Sequence, residues 1–193
     1  MEKNYELDVR YIGTHNDLLV YNSLIAFFGN NNPYYCLELL NKSDFDNFES
    51  EQLCYFHFSV NGKLVIMMPF FKRNINSKNQ TDQYFDVISP YGYSGPLYDT
   101  EIIPDEVLEE FWEKVDIWYK KENIVSEFLR FSLNENTVGY NGKLIPSLKN
   151  IKGEIIEHDQ QWDQFKAKVR NNYRKAVQED LKLKIYTLSL IHI

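Results

Sequence analysis

Apolar residues recur at three- and four-residue intervals between Asp17 and Phe28, where Leu18, Leu19, Tyr21, Leu24, Ile25 and Phe28 predict a helix. Asp17 reads as its N-cap, and Gly29 with Asn30-Asn31-Asn32-Pro33 as its stop. Tyr34 to Leu40 reads as a short strand, and Ser43 to Ser50 as a polar interval holding Phe45 and Phe48. Gln52 to Val60 and Lys63 to Phe71 are strand-like runs joined by Asn61-Gly62, a pair that accepts the positive φ angles of a two-residue type I′ turn. Arg73 to Gln83 is polar and predicts an exposed loop. Tyr84 to Ser89 predicts a further strand.

A second helical stripe follows in Pro104 to Lys121, made by Val107, Leu108, Phe111, Trp112, Val115, Trp118 and Tyr119. Asp105, Glu106, Glu109 and Glu110 open it and Lys120 and Lys121 close it, an order that complements the helix dipole. Ser126 to Leu133 is strand-like, Asn141-Gly142 offers a turn, and Glu154 to Glu157 predicts a weak strand. Asp159 then caps an amphipathic helix reaching about Glu179, with a strand after it at Leu181 to Ile185. Helices and strands mixed in this way, with a hairpin among them, predict an α/β (α+β) fold, a mixed sheet covered by helices.

Composition narrows the class. The 193 residues are 44% hydrophobic, enough to build a core, and the net charge of -7 argues against DNA as a partner. Cys36 and Cys54 sit in apolar runs without CxxC spacing and read as reduced core thiols, which fits a cytoplasmic protein. Runs such as Leu64 to Phe71 are too short to span a bilayer, and the charged opening MEKNYELDVR is no signal peptide. His15, His57, His158 and His192 lack metal-ligand spacing, so no metal is expected; His57, within an apolar strand, reads as a satisfied structural residue. Walker A, dinucleotide and Gly-x-Ser-x-Gly motifs are absent.

Three places hold candidate chemistry. Ser89-Pro90-Tyr91-Gly92-Tyr93-Ser94-Gly95-Pro96 is restricted by a proline near each end and loosened by Gly92 and Gly95. With Tyr91 and Tyr93 it forms either one wall of a cleft, where these four residues meet a substrate, or a tight loop whose tyrosines only pack. Lys166, Arg170 and Arg174 lie four apart on the last helix beside Trp162, Phe165, Val169 and Ala176, with Lys168 and Lys175 on the opposite side. That stripe is either a phosphate-binding flank or a solvated one. Glu127 and Arg130 read as an edge ion pair, and Trp112 and Trp118 as core.

The segment Tyr84 to Leu97, YFDVISPYGYSGPL, resembles the strand and loop of FemAB-like members of the GNAT superfamily. Met68-Pro69-Phe70-Phe71-Lys72-Arg73 before it, and the run from Phe111 through Asn123 to Phe131 after it, extend the resemblance over most of residues 50–133. Lys168 to Ala176 is similar to the family's basic helix, with Tyr173 where isoleucine is usual. The resemblance implies a GNAT-like, largely antiparallel sheet flanked by helices: one complete lobe at 1–153 and the opening strand, helix and strand of a second at 154–187. It also implies transfer of an acyl or aminoacyl group, from acyl-CoA or aminoacyl-tRNA, to an amine or hydroxyl of a small-molecule or lipid-linked envelope precursor such as that of peptidoglycan. The alternative is a non-catalytic lobe that binds a sugar or peptide. Tyr91, Gly92, Tyr93 and Gly95 are then substrate contacts, and Lys166, Arg170, Arg174 and Lys175 donor contacts, with tRNA and peripheral membrane contact among the partners. No residue is assigned as catalytic base. The family's proteins run longer, so the chain is expected to be the front part of one and inactive alone, with 188–193 a non-native tail. The usual GNAT pyrophosphate loop is missing from it.

Overall fold

The turn at Asn61-Gly62 forms as its residues predict, with φ of 51° and 77°. It joins β2 (Glu51–Val60) to β3 (Lys63–Asn74), the two longest strands of the fold. Before them comes β1 (Tyr5–Tyr11), where Tyr5, Leu7 and Val9 alternate with Glu6, Asp8 and Arg10. This period-two pattern suits a half-buried edge strand, and the reading above leaves it unassigned. Asn4 accepts a hydrogen bond from the Asn61 amide and donates its own to Asn61 Oδ1, which ties β1 to the hairpin turn. The computed structural model describes residues 3–29, 32–40, 51–75, 83–99, 103–132, 136–147, 149, 153–182 and 184. Ser43 to Ser50, the centre of the Arg73 to Gln83 loop, and 188–193 lie outside them.

Two further strands, β4 (Phe85–Ile88) and β5 (Ile124–Phe128), complete a sheet of order β1-β2-β3-β4-β5. Three neighbouring pairs are antiparallel and β4–β5 is parallel, which gives the mixed, largely antiparallel sheet expected. A parallel neighbour needs a crossover, supplied here by α3 (Asp105–Lys121). Helix α1 (His15–Phe27) and the one-turn α2 (Leu37–Leu40) lie earlier in the chain. Tyr34 to Leu40 is thus no strand. Pro33 begins a 3₁₀ turn to Tyr35, Asn32 accepts the Tyr34 amide, and a helical turn follows. Thr14, not Asp17, caps α1; Asp17 sits at N3 and completes a capping box.

Helices cover both faces of β2–β3, which is why these strands read as nearly continuous apolar runs. Phe56, Phe58, Ile66, Met68 and Phe70 meet Val107, Leu108, Phe111, Trp112 and Val115 of α3 on one face. Phe56 lies at the centre, stacked on Phe70 at 4.3 Å with the edge of Trp118 at 5.3 Å. Leu53, Tyr55, Met67 and Phe71 meet Tyr21, Ile25, Leu37 and Leu40 on the other. Lys72 Nζ, on a buried residue, reaches Glu122 Oε2 at 2.8 Å and lies 4.2 Å above the Phe85 ring, fastening the end of α3 to the sheet. His57 departs from expectation: its Nδ1 is buried with no partner among the described residues, and burial lowers its pKa.

The chain divides into two units, Met1–Lys143 and Leu144–Ile193. In the second, Glu154 to Glu157 forms no strand and the single expected helix is two, α4 (His158–Gln164) and α5 (Ala167–Gln178), parted by extended backbone at Phe165 and Lys166. Leu181 and Lys182 are not in a strand; residues 183 and 185 lie outside the described set.

Candidate functional site

Beyond Ile88 the parallel ladder changes character. Ser89 donates its amide to the Phe128 carbonyl at 2.9 Å, and Pro90 has no amide to offer. The Arg130 amide donates to a side chain, Ser89 Oγ, at 2.9 Å. The chain leaves the sheet through Tyr91, Gly92 and Tyr93 and returns at Ser94, whose amide bonds to the Arg130 carbonyl at 2.9 Å beside an isolated bridge to Phe131. The neighbouring β3 runs on past this point, and its Met67 exchanges two hydrogen bonds with Leu97.

Both glycines are required, and this chain's own atoms account for the requirement. Gly92 has φ of 96°, and a Cβ there would lie 2.0 Å from the Tyr34 ring; Gly95 has φ of 91° and faces Asn136 and Phe131. Tyr93 meets Tyr34 edge-on at 5.7 Å. Tyr91 alone of the four predicted residues projects outward, at 67% exposure. The amides of Tyr91 and Gly92 have no hydrogen-bond acceptor among the described residues.

Two anchors hold the bend. Asn136, missed in the sequence, is buried; its Nδ2 donates to the carbonyls of Ser94 (2.9 Å) and Pro96 (2.8 Å) while its Oδ1 accepts the Ser132 amide at 2.8 Å. No local periodicity marks it; the only hint is a loop whose carbonyls flank a glycine outside any strand. The second anchor is a relay of phenols: Tyr21 donates to the Tyr35 carbonyl at 2.9 Å, and Tyr35 to the Gly95 carbonyl at 3.1 Å.

Glu127 does not pair with Arg130. Its carboxylate accepts the Tyr119 and Tyr140 hydroxyls at 2.8 and 2.7 Å, whereas the Arg130 guanidinium lies 4.9 Å from the Phe128 ring centre. Burial, the largest cause, raises the pKa of Tyr21, Tyr35, Tyr119 and Tyr140, and Glu127 adds to the last two. Burial likewise pushes the Cys54 thiol up to about 12, which leaves it inert. A phenol that stays protonated in the fold but ionises from about pH 10 when unfolded stabilises the fold fully below pH 10 and less above it. Tyr21, Tyr35 and Tyr119 should each cost up to about 1.4 kcal/mol per pH unit there. Denaturant melts between pH 9 and 11, with phenolate absorbance as the readout, are expected to show stability falling before these tyrosines ionise. Ionisation in the folded state near pH 10 would contradict this.

In the second unit, Arg174 and Lys175 line one open depression with Lys168, Asn171 and Asn172. Lys166 and Arg170 do not: Lys166 is the N-cap of α5, and Arg170 donates to the Asp163 carbonyl at 3.1 Å. The predicted donor set is thus split, and Lys168, placed on the far side in the sequence reading, joins half of it. Amide and cationic donors of this kind suit phosphate oxygens. Among the described residues no cluster of His, Cys, Asp or Glu is arranged to hold a metal, and no helix is long and apolar enough to cross a membrane.

Strand order and site together define a mixed α/β protein with an interrupted parallel pair at one side of its sheet. No protein-family model and no curated protein matches the sequence. Among solved structures, an aminoglycoside acetyltransferase from an uncultured soil metagenomic sample has 12% identity and a TM-score of 0.40, over 76% of this chain and 99% of its own. The ribosomal-protein-alanine N-acetyltransferase of Brucella melitensis biovar Abortus 2308 has 10% identity and a TM-score of 0.38, over 79% and 99%. A GNAT family acetyltransferase of Staphylococcus aureus has 12% and 0.37, over 75% and 98%. Superpositions this loose carry no argument, and the fold class rests on the chain's own strand order.

Proposed function

We propose that the chain belongs to an acyltransferase of the FemAB-like type, which moves an acyl or aminoacyl group from acyl-CoA or aminoacyl-tRNA to an amine or hydroxyl of an envelope precursor. One observation carries the reading beyond the resemblance of residues 50–133: the parallel ladder opens at Ser89, and the amides of Tyr91 and Gly92 have no acceptor among the described residues. Two adjacent backbone donors suit the oxygen of an acyl group under attack, where charge develops as the new bond forms and the donor's thiolate or alkoxide leaves. Tyr91 offers an exposed phenol to the acceptor. On the second unit, Lys168, Asn171, Asn172, Arg174 and Lys175 would hold donor phosphates.

Donor consumption by the purified full-length protein, of which these 193 residues are expected to be an inactive front part, tests the reading against amino-sugar and peptidoglycan-precursor acceptors; it is followed as thiol release from acetyl-CoA or deacylation of charged tRNA. Tyr91→Ala is expected to lower kcat/KM at least tenfold with Tm unchanged, because the side chain is exposed. No consumption of either donor sinks it. A specific observation favours a second reading, a non-catalytic module for a sugar or peptide: the spaces beside Gly92 and Gly95 are filled by Tyr34 and Asn136 and not left open. Saturable precursor binding without turnover selects that reading.

A further inference from the structure

Asn61-Gly62 and Asn141-Gly142 have the same sequence, and the fold treats them differently. In this dipeptide the glycine nitrogen can close on the asparagine side chain, because no Cβ on the second residue hinders the approach. At Asn61-Gly62 the approach is blocked. Both residues are held at positive φ in the hairpin turn, and Asn4 fixes Asn61 at two points: Oδ1 accepts the Asn4 amide at 2.9 Å, and the Asn61 amide donates to the Asn4 carbonyl at 2.8 Å. Ring closure there would break the turn that joins β2 to β3, so it waits on opening of the hairpin.

Asn141-Gly142 has none of these restraints. Neither residue lies in a helix or strand, and neither amide has an acceptor among the described residues. The side chain is tethered by one exposed hydrogen bond, donated by Nδ2 to Asp116 Oδ2 on α3, and its own carbonyl is unheld. Such a bond is worth about 1 kcal/mol and exchanges with water. Position 142 is glycine for a packing reason, since a Cβ there would lie 2.2 Å from the Tyr140 hydroxyl. The reactive dipeptide is thus built into the turn.

We infer that Asn141 is a site of spontaneous deamidation, and that its conversion loosens the 137–142 turn from α3. The Gly142 nitrogen gives up its proton and bonds to the Asn141 side-chain carbonyl carbon, the bond to Nδ2 breaks, and ammonia leaves with that proton. Water then opens the cyclic imide, at one carbonyl to aspartate and at the other to isoaspartate, whose backbone runs through the former side chain. Either product sets a new carboxylate beside Asp116, where an amide donated before. Asp116 also acts on Tyr140, whose hydroxyl donates to Glu127 at 2.7 Å, so three carboxylates would crowd one phenol. The reaction uses no group assigned to acyl transfer and stands whether or not that transfer occurs.

The test is peptide mapping by mass spectrometry of the 193-residue chain aged in mildly alkaline buffer, both folded and in guanidinium. Asn61 and Asn141 fall in separate tryptic peptides, ending at Lys63 and Lys143, and fragment ions tell Asn141 from Asn134 and Asn136. In the folded chain Asn141 is expected to deamidate at least fivefold faster than Asn61. In guanidinium, where neither pair is restrained, the two rates should agree within threefold. A folded-state ratio below fivefold, an equal ratio in guanidinium, or no conversion of Asn141 in the folded chain overturns the assignment. As for the consequence, Asn141→Asp should melt a few degrees below the parent, and Asn61→Asp, which keeps an acceptor for the Asn4 amide, close to it. Equal melting of Asn141→Asp and the parent overturns the loosening. Should that variant fail to fold, the aged parent, parted from unreacted chain by ion exchange, supplies the same comparison.

Discussion

Asn136→Ala is expected to lower the unfolding free energy of the first unit by about 3–5 kcal/mol, measured by urea denaturation. One side chain bonds to the carbonyls of Ser94 and Pro96 and the amide of Ser132, and all three of these bonds are lost at once. A buried polar group stranded in this way costs about 1–3 kcal/mol, and Asn136 is only 8% exposed. Asn136→Asp separates the two halves of the role. It keeps the acceptor for Ser132 and removes both donors, setting a carboxylate against two carbonyls, and should be at least as damaging. A loss under 1 kcal/mol in both variants would mean that the Ser89–Pro96 bend is held by other contacts.

The second large effect is expected at Gly139. Its φ is 74°, and a Cβ would come within 2.8 Å of the Leu108 carbonyl carbon and the Glu109 amide nitrogen. These are backbone atoms of α3, which cannot swing aside as a side chain does. Gly139→Ala should therefore cost about 2–4 kcal/mol, combining the left-handed backbone penalty with displacement of the segment from the helix. Gly153→Ala, where nothing lies within 4 Å, is the control and should leave Tm within a degree or two. Equal melting temperatures for the two variants would show that the 137–140 turn does not rest on α3.

These two positions mark the boundary of what the sequence discloses. The hairpin was legible because Asn-Gly chemistry and strand patterning agree at Asn61-Gly62, and α3 because its apolar stripe and terminal charges agree. Tyr34 to Leu40 misleads because a short apolar run has no readable period; Asn32 and Pro33, which start a 3₁₀ turn, carry the better clue. Thr14-x-x-Asp17 is a capping box, and reading Asp17 as the cap shifts the helix start by three residues. At the candidate site the glycines announce unusual backbone but not what crowds them. Tyr34 and Asn136 reach them from 58 and 41 residues away in sequence, and such partners leave no local trace. Glu127 was matched with Arg130 by proximity in sequence, whereas its true partners lie on α3 and at Tyr140.

The sheet's one pair of strands running in the same direction has a kinetic consequence. β2 and β3 can zip together across two residues, but β4 and β5 meet only after the whole crossover containing α3 has been closed into a loop. Such distant pairing is slow, so assembly proceeds from the hairpin outward and the Ser89–Pro96 bend is set among the last parts. On a ribosome, that bend must wait until β5 has emerged.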